Sequence, residues 1–413
     1  MYLLSSFYHL KEIEMEESRS KRVELIKQIE EKRGSKVITY ITSDRQNLSV
    51  SIASDIIPIF HDHILSFPDQ EREKIDLFIY SRGGDSNVPW TLVSMIREYC
   101  KKGSFGVLVP FRAHSAATLI SLGADEILMT KKGELGPIDA TLPNGPYNPI
   151  DETTKSRLPL SVEDVTGYFS LLKRFGCERP DEAMEGFREL TKQVHPLALG
   201  SVNRTLEETK LVGLRLLSTR ANPFLEEKNS EIIKKLSSEL YSHGHAITRT
   251  EAVQFLGLDH VKEAEKKGID DLMWDLFQEY RSLFELDSPF FPEEYLIKNN
   301  IEENIWDNLN LACIESAEKF HICRKSLKVK KLRNLPPNIN INLGQLNFPQ
   351  IVMPNNIQTL SQSALNTLVE QIVKANVQNS LNAAVATAID MLVKSLPQRG
   401  FESVFFNSGW EEE

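Results

Sequence analysis

Long apolar runs are missing from this chain. No stretch approaches the roughly twenty consecutive apolar residues that a bilayer-crossing helix needs, so no helical membrane span is expected. The opening segment MYLLSSFYHLKEIE has no basic leader and soon turns acidic, which does not read as a secretory signal. Cysteine is scarce. The four present, Cys100, Cys177, Cys313 and Cys323, include no two at the spacing of a zinc knuckle or a redox pair. A reducing, cytoplasmic compartment is the expectation, with no metal centre. Positive charge is in deficit, 48 Lys and Arg against 58 Asp and Glu. The resulting net charge of −10 disfavours a general surface for nucleic acid or anionic membrane. One basic run, RKSLKVKKLR at 324–333, reads as a solvated strand face. There is neither a GxxxxGK phosphate loop nor a dinucleotide fingerprint, so no cofactor is expected, and any ATP-driven unfolding would fall to a separate partner. The pairs His61-Asp62-His63 and His243-Gly244-His245 lack a third ligand in their local sequence and read as structural.

What is present concentrates between residues 75 and 139. IDLFIYS is a short apolar run with β-branched and aromatic residues, as in a buried strand of a parallel sheet. It runs into Ser81-Arg82-Gly83-Gly84-Asp85. Glycines there allow positive φ and a close approach of the backbone to a ligand. Leu92, Val93, Met95, Ile96 and Tyr99 recur at helical spacing, so a crossover helix follows. Residues 106–110 form the next strand, Ser115 opens a small-residue helix over 116–122, and EILM at 126–129 is a further strand. Alternating strands and helices predict an α/β fold of right-handed parallel units. Ligands of such sheets sit at the carboxyl ends of the strands, where Gly83, Gly84 and Ser115 all fall. The pattern has the two parts that acyl transfer needs: backbone N–H groups for an oxyanion and a hydroxyl that attacks.

SRGGD, followed by AHSAATLISLGADEILM and GELGPID, resembles the Clp-protease/crotonase superfold. Within it the sequence is most similar to the signal-peptide-peptidase-like serine dehydrogenase proteinase family, and HPLALGSVNR and YSHGHAITRTEAVQFLGL extend the likeness. The resemblance spans roughly residues 21–286. It implies a parallel sheet with outer helices and a serine peptidase acting on peptide or protein substrates. It puts the nucleophile at Ser115 and the oxyanion hole at the amides of Gly83, Gly84 and Ala116. It further implies a homo-oligomer, since such peptidases enclose their serines in rings.

The general base is harder to read. Clp-type enzymes place a histidine some two dozen residues after the serine, and this chain has none between 116 and 194. Signal-peptide-peptidase-like enzymes use a lysine, and Lys155 stands forty positions after Ser115, in a placement similar to theirs. A lysine serves as a base only where burial or a neighbouring cation lowers its pKa. Lys173 and His195 are the alternatives. Two other classes compete with the peptidase: a non-catalytic scaffold or peptide-binding protein on the same fold, and a crotonase-type acyl-CoA enzyme.

The rest of the chain sorts by composition. Residues 1–35 form a charged helical arm, 36–288 the peptidase domain, and 289–413 a C-terminal region of mixed strand and helix suited to oligomerisation or partner binding. In that last part 309–314 and 320–328 read as a hairpin, 334–347 as irregular or β, and 365–396 as a long helix.

Overall fold

A computed structural model describes residues 2–413 apart from 102, 139–140, 143–144, 241, 243 and 334–361. The predicted irregular or β segment at 334–347, and His243 of the second His-X-His pair, lie outside the described residues. The chain divides into two compact units. The first holds residues 1–290, 310–325 and 408–413, and the second holds 291–309 and 326–407. Residues 289–413, set apart by composition, are thus shared between the two.

The first unit is an α/β layer built on a largely parallel sheet, as the motif order predicts. Its helix α1 (Tyr2–Arg33) ends where Gly34 turns left-handed at φ 57° and its N–H bonds Glu30 O at 2.7 Å. Strands β1 (Lys36–Thr42), β2 (Ile75–Tyr80), β3 (Phe105–Val109), β4 (Glu126–Met129) and β5 (Val261–Glu263) then lie side by side in chain order, all parallel. The register pairs Ile38 with Leu77 and Leu77 with Val107. Every residue of β2 is buried, which is why its sequence is apolar on both faces instead of alternating, with Asp76, paired to Arg33, as the exception.

The crossovers are α2 (Ile56–Ser66), α3 (Val88–Tyr99) and α4 (Ala116–Leu122). Because the strands advance in one direction, right-handed connections set these helices on one face. There α4 also meets α7 (Pro196–Ser218). Helices α5 (Val162–Arg174) and α6 (Pro180–Gln193) precede α7, and α8 (Glu226–Lys234) and α9 (Arg249–Gln254) follow it. The Thr248 hydroxyl accepts Glu251 N–H at 3.3 Å and so caps the start of α9.

Elsewhere in the first unit α10 (Asp270–Leu283) packs with α1: Leu25, Ile26 and Ile29 share a core with Met273, Phe277 and Tyr280. The carboxy-terminal part of α1 is therefore packed on its own core. Strand β6 (Glu303–Glu315) runs antiparallel to β1, with Thr39 opposite Glu315 and Thr42 opposite Ala312, and β7 (Phe320–Arg333) follows it, the predicted hairpin. Glu315 is buried with Arg22 at 2.6 Å and accepts the Tyr280 hydroxyl at 2.7 Å, so a buried ion pair joins α1 to β6 and a hydrogen bond ties α10 to that pair.

The second unit contains α11 (Pro292–Lys298), the parts of β6 and β7 outside the first, helix α12 (Gln362–Ser395) and most of β8 (Gln398–Glu412). Within it Arg333 bonds Glu302 at 2.6 Å and the Leu396 carbonyl at 2.8 Å. Among the described residues no helix is long and apolar enough to cross a membrane.

Candidate active site

Two strand ends build the site. After β2 the chain continues to Ser81, whose N–H bonds Arg112 O at 3.0 Å while its own carbonyl accepts His114 N–H at 3.0 Å. This bridge sets the glycines that follow Ser81 beside the residues that follow His114. The buried Ser81 hydroxyl, held by Thr42 at 2.8 Å, accepts Gly83 N–H at 3.0 Å. On the other side Thr118 Oγ1 lies 2.7 Å from Ala113 O and accepts Gly136 N–H at 3.0 Å, which fixes the first turn of α4.

Gly83 and Ser115 consequently meet face to face. A Cβ on Gly83 would stand 2.6 Å from Ser115 Cβ and 3.0 Å from Ala116 N, and Gly83 itself has φ 103°. Gly84 lies against the Ile52 backbone so tightly that a Cβ would come within 2.2 Å of Ile52 O. Both positions need glycine. Ile52 N–H bonds Gly83 O at 2.8 Å and Asp85 N–H bonds Ile52 O at 2.9 Å. That parallel bridge turns the Gly84 N–H away from Ile52.

Ser115 holds φ 51° and ψ −113°, and its side chain makes no capping hydrogen bond to α4. The plain reading of a serine before a helix, an N-cap, is therefore not what this side chain does. Half-buried, it lines a cavity of about 400 Å³ with Gly83, Gly84, Leu119, Ile138 and Thr209. Thr209 comes from α7, a contribution that the sequence reading did not anticipate. Ala116 is the first residue of α4, so its N–H has no intrahelical acceptor and stays available.

The site also carries a charged chain that was not expected. Asp44 accepts the Tyr80 hydroxyl at 2.6 Å, Arg82 at 2.9 Å and Arg112 at 3.1 Å. Arg112 also holds Glu134 at 3.0 Å, and Glu134 lies 3.1 Å from His114 Nε2. Burial holds His114 below its ordinary value although Glu134 pulls the other way. The available signal was the spacing of Arg112 and His114, two apart on an extended segment, but no sequence feature tied them to Asp44.

The three candidate bases stand apart from this group. Lys155 is exposed at φ 57° in a turn where its N–H bonds Asp151 O at 2.9 Å. The turn belongs to a hairpin whose stem pairs Thr141 with Ser161 and Leu142 with Leu160. Thr141 lines the cavity but Lys155 does not. His195 caps α7, its Nδ1 accepting Leu197 N–H at 3.1 Å, and stacks on Tyr147 at 4.9 Å. Lys173 is exposed near the end of α5. Among the described residues that line the cavity, Arg82 is the one cation and there is no lysine or histidine.

Comparison with known proteins follows the same segment. The sequence profile of the ClpP-like SDH-type serine proteinases matches residues 1–172. That stretch contains Gly83, Gly84, Ser115 and Lys155, and the match bears out the resemblance read from the motifs. Two uncharacterized proteins of Methanocaldococcus jannaschii are similar. MJ1495 is 26% identical over 239 residues, covering 55% of this chain and 68% of that protein. MJ0137 is 24% identical over 259 residues, covering 60% and 76%. Among solved structures, a mutant of the 1510-N membrane-bound stomatin-specific protease aligns at 18% identity and a TM-score of 0.22, over 37% of this chain and 70% of that one. The profile match supports a serine peptidase in general.

Proposed function

We propose that the chain is a serine endopeptidase of the signal-peptide-peptidase-like type, in which Ser115 attacks the peptide carbonyl. The amides of Gly84 and Ala116, with that of Gly83, receive the oxyanion, and Lys155 takes the serine proton. The observation that carries the reading is Ser115 itself. It is held at a strained backbone angle, free of capping duty, against Gly83 in a cavity. Strain of this kind persists where surrounding structure enforces it and gathers at functional positions. The Gly83 N–H already bonds the Ser81 hydroxyl, so Gly84 and Ala116 are the freer donors.

Lys155 enters on its spacing from Ser115 and on the hairpin that joins it to the cavity wall at Thr141. In the isolated chain it is exposed and outside the cavity, so the dyad needs either a movement of that hairpin or a second copy of the chain. Labelling with a fluorophosphonate, mapped by mass spectrometry, tests the nucleophile: modification at Ser115 is expected, and modification elsewhere removes the assignment. Mixing Ser115→Ala and Lys155→Ala chains tests the base. Recovered activity in the mixture places Lys155 across a subunit boundary.

A second reading, a non-catalytic scaffold or peptide-binding protein, draws support from the lack of a lysine or histidine among the described cavity residues. It predicts no covalent labelling at all.

A further inference from the structure

The Ser115 cavity lies at the carboxyl ends of the strands, and a different cavity opens at their amino ends. It measures about 390 Å³ and is walled by Asp76, Phe105 and Glu126, at or next to the first residues of β2, β3 and β4, together with Lys74, Lys267 and Arg220. Its carboxylates are already matched. Asp76 accepts Arg33 Nε at 2.8 Å and the Ser35 hydroxyl at 2.6 Å. Asp125 accepts Ala221 N–H at 2.7 Å and Arg97 Nη1 at 2.5 Å. Glu126 pairs with Arg33 at 2.9 Å.

Arg220 is the exception. It is 4% exposed, and its Nε and Nη1 have no hydrogen-bond partner among the described residues. Its ion-pair partner is Asp259, at 3.8 Å from Nη2, on a side chain that is itself 69% exposed. The guanidinium rests 4.4 Å from the Phe224 ring centroid, which supplies no acceptor. Burial disfavours its charge, Asp259 and Asp125 offset this only in part, and the nearby Arg97 guanidinium adds to it. Both ring nitrogens of His260, buried and within electrostatic reach of Arg220, also lack a hydrogen-bond partner among the described residues, Asp259 standing 3.9 Å from Nδ1. Lys74 donates to the Arg33 carbonyl and has no carboxylate partner among the described residues. A buried charged donor without an acceptor bears the full penalty of desolvation. An oxygen acceptor drawn into the cavity would lower this penalty, and a negatively charged one would lower it most.

We propose that this cavity binds a small oxyanion, with Arg220 as its buried cation and Lys74 as a second. A volume of 390 Å³ falls in the range of small-ligand sites, about 300–1,000 Å³. The ligand class is therefore a phosphate or carboxylate carried on a small organic body. The site is separate from Ser115 and does not depend on the peptidase reading.

The test uses the full chain and its thermal midpoint in sodium phosphate, sodium acetate and sodium chloride at equal ionic strength. A saturable rise in Tm with phosphate over chloride is expected. A rise with acetate instead assigns the carboxylate class and still supports the site, whereas no anion-specific rise overturns it. Arg220→Gln, which keeps hydrogen-bonding groups but no charge, is expected to abolish the response. A full response in a folded Arg220→Gln chain overturns the proposal. If that variant does not fold, Lys74→Gln decides: phosphate affinity should weaken several-fold, and unchanged affinity overturns the assignment.

Discussion

Ser115 adopts φ 51° and ψ −113°, a backbone region that costs a side-chain-bearing residue on the order of 1–3 kcal/mol. Two substitutions separate its chemistry from its conformation. Ser115→Ala keeps the strain and removes the hydroxyl. It should abolish hydrolysis and leave the urea midpoint nearly unchanged, because no capping bond is lost. Ser115→Gly removes both, and should abolish hydrolysis while stabilising the fold by about 1 kcal/mol. A loss of stability in the alanine variant of the size expected for a cap, also about 1 kcal/mol, would show that the side chain caps α4 after all. Gly83→Ala tests the opposing wall. Its Cβ would stand 2.6 Å from Ser115 Cβ at a φ of 103°, so a loss of several kcal/mol in stability and of activity together is expected. The serine and glycines were legible in the sequence because strand ends and turns leave local marks. The positions of Lys155 and Arg220 were not, because burial and exposure of a long cation depend on which distant segments close over it.

Elements made by local periodicity were equally legible. Ala116–Leu122 and Glu126–Met129 coincide with the expected ranges, since apolar runs bounded by glycine or polar residues define their own ends. Elements made by apposition were not: Arg112–Ala113, Glu134–Leu135 and Ile247–Thr248 form a sheet of two-residue strands that no window of sequence marks. Strand β8 was likewise unforeseen. The seam between α2 and the β6–β7 hairpin shows the consequence for pH. His63 of α2, on a helix where His61 points instead to the Tyr99 hydroxyl at 2.9 Å, is fully buried. Its Nδ1 lies 3.0 Å from Ser316 Oγ and its Nε2 3.0 Å from His321 Nδ1.

Burial first, and then the His321 charge, hold His63 down to about 3. His114, His260 and His321 are lowered for the same leading reason. A folded value below the unfolded one means that unfolding takes up protons. The stability from these neutral histidines is present above about pH 6.5 and is lost as pH falls below it, for His63 down to about 3. For His63 the loss is about 1.4 kcal/mol per pH unit while pH lies well below 6.5 and above about 3. Urea midpoints at pH 7 and pH 5 should differ clearly in the native chain and by less in His63→Gln. An equal difference in both would mean that His63 does not carry the acid sensitivity.

At the scale of the whole molecule, the family resemblance implies a homo-oligomer, and the open matter is which part of the chain would hold the copies together. Truncation at residue 289 is a poor test. It removes Ala312 to Glu315, which pair with β1, and takes away the carboxylate that holds buried Arg22 at 2.6 Å. Stranding that guanidinium costs about 3–5 kcal/mol, so the truncated chain is expected to misfold whatever its role in assembly. Excision of residues 334–395 is cleaner. All of them belong to the second unit. The cut ends lie close enough that Arg333 reaches the Leu396 carbonyl at 2.8 Å, so a short glycine-serine linker suffices. Light scattering after size exclusion should report a multimer for the full chain and a single-copy mass for the excised one, with fluorophosphonate labelling at Ser115 as evidence that the first unit stays folded. A multimer in both would move the contact to the first unit. A full-length monomer with undiminished hydrolysis would remove the enclosed-chamber arrangement that the family resemblance implies.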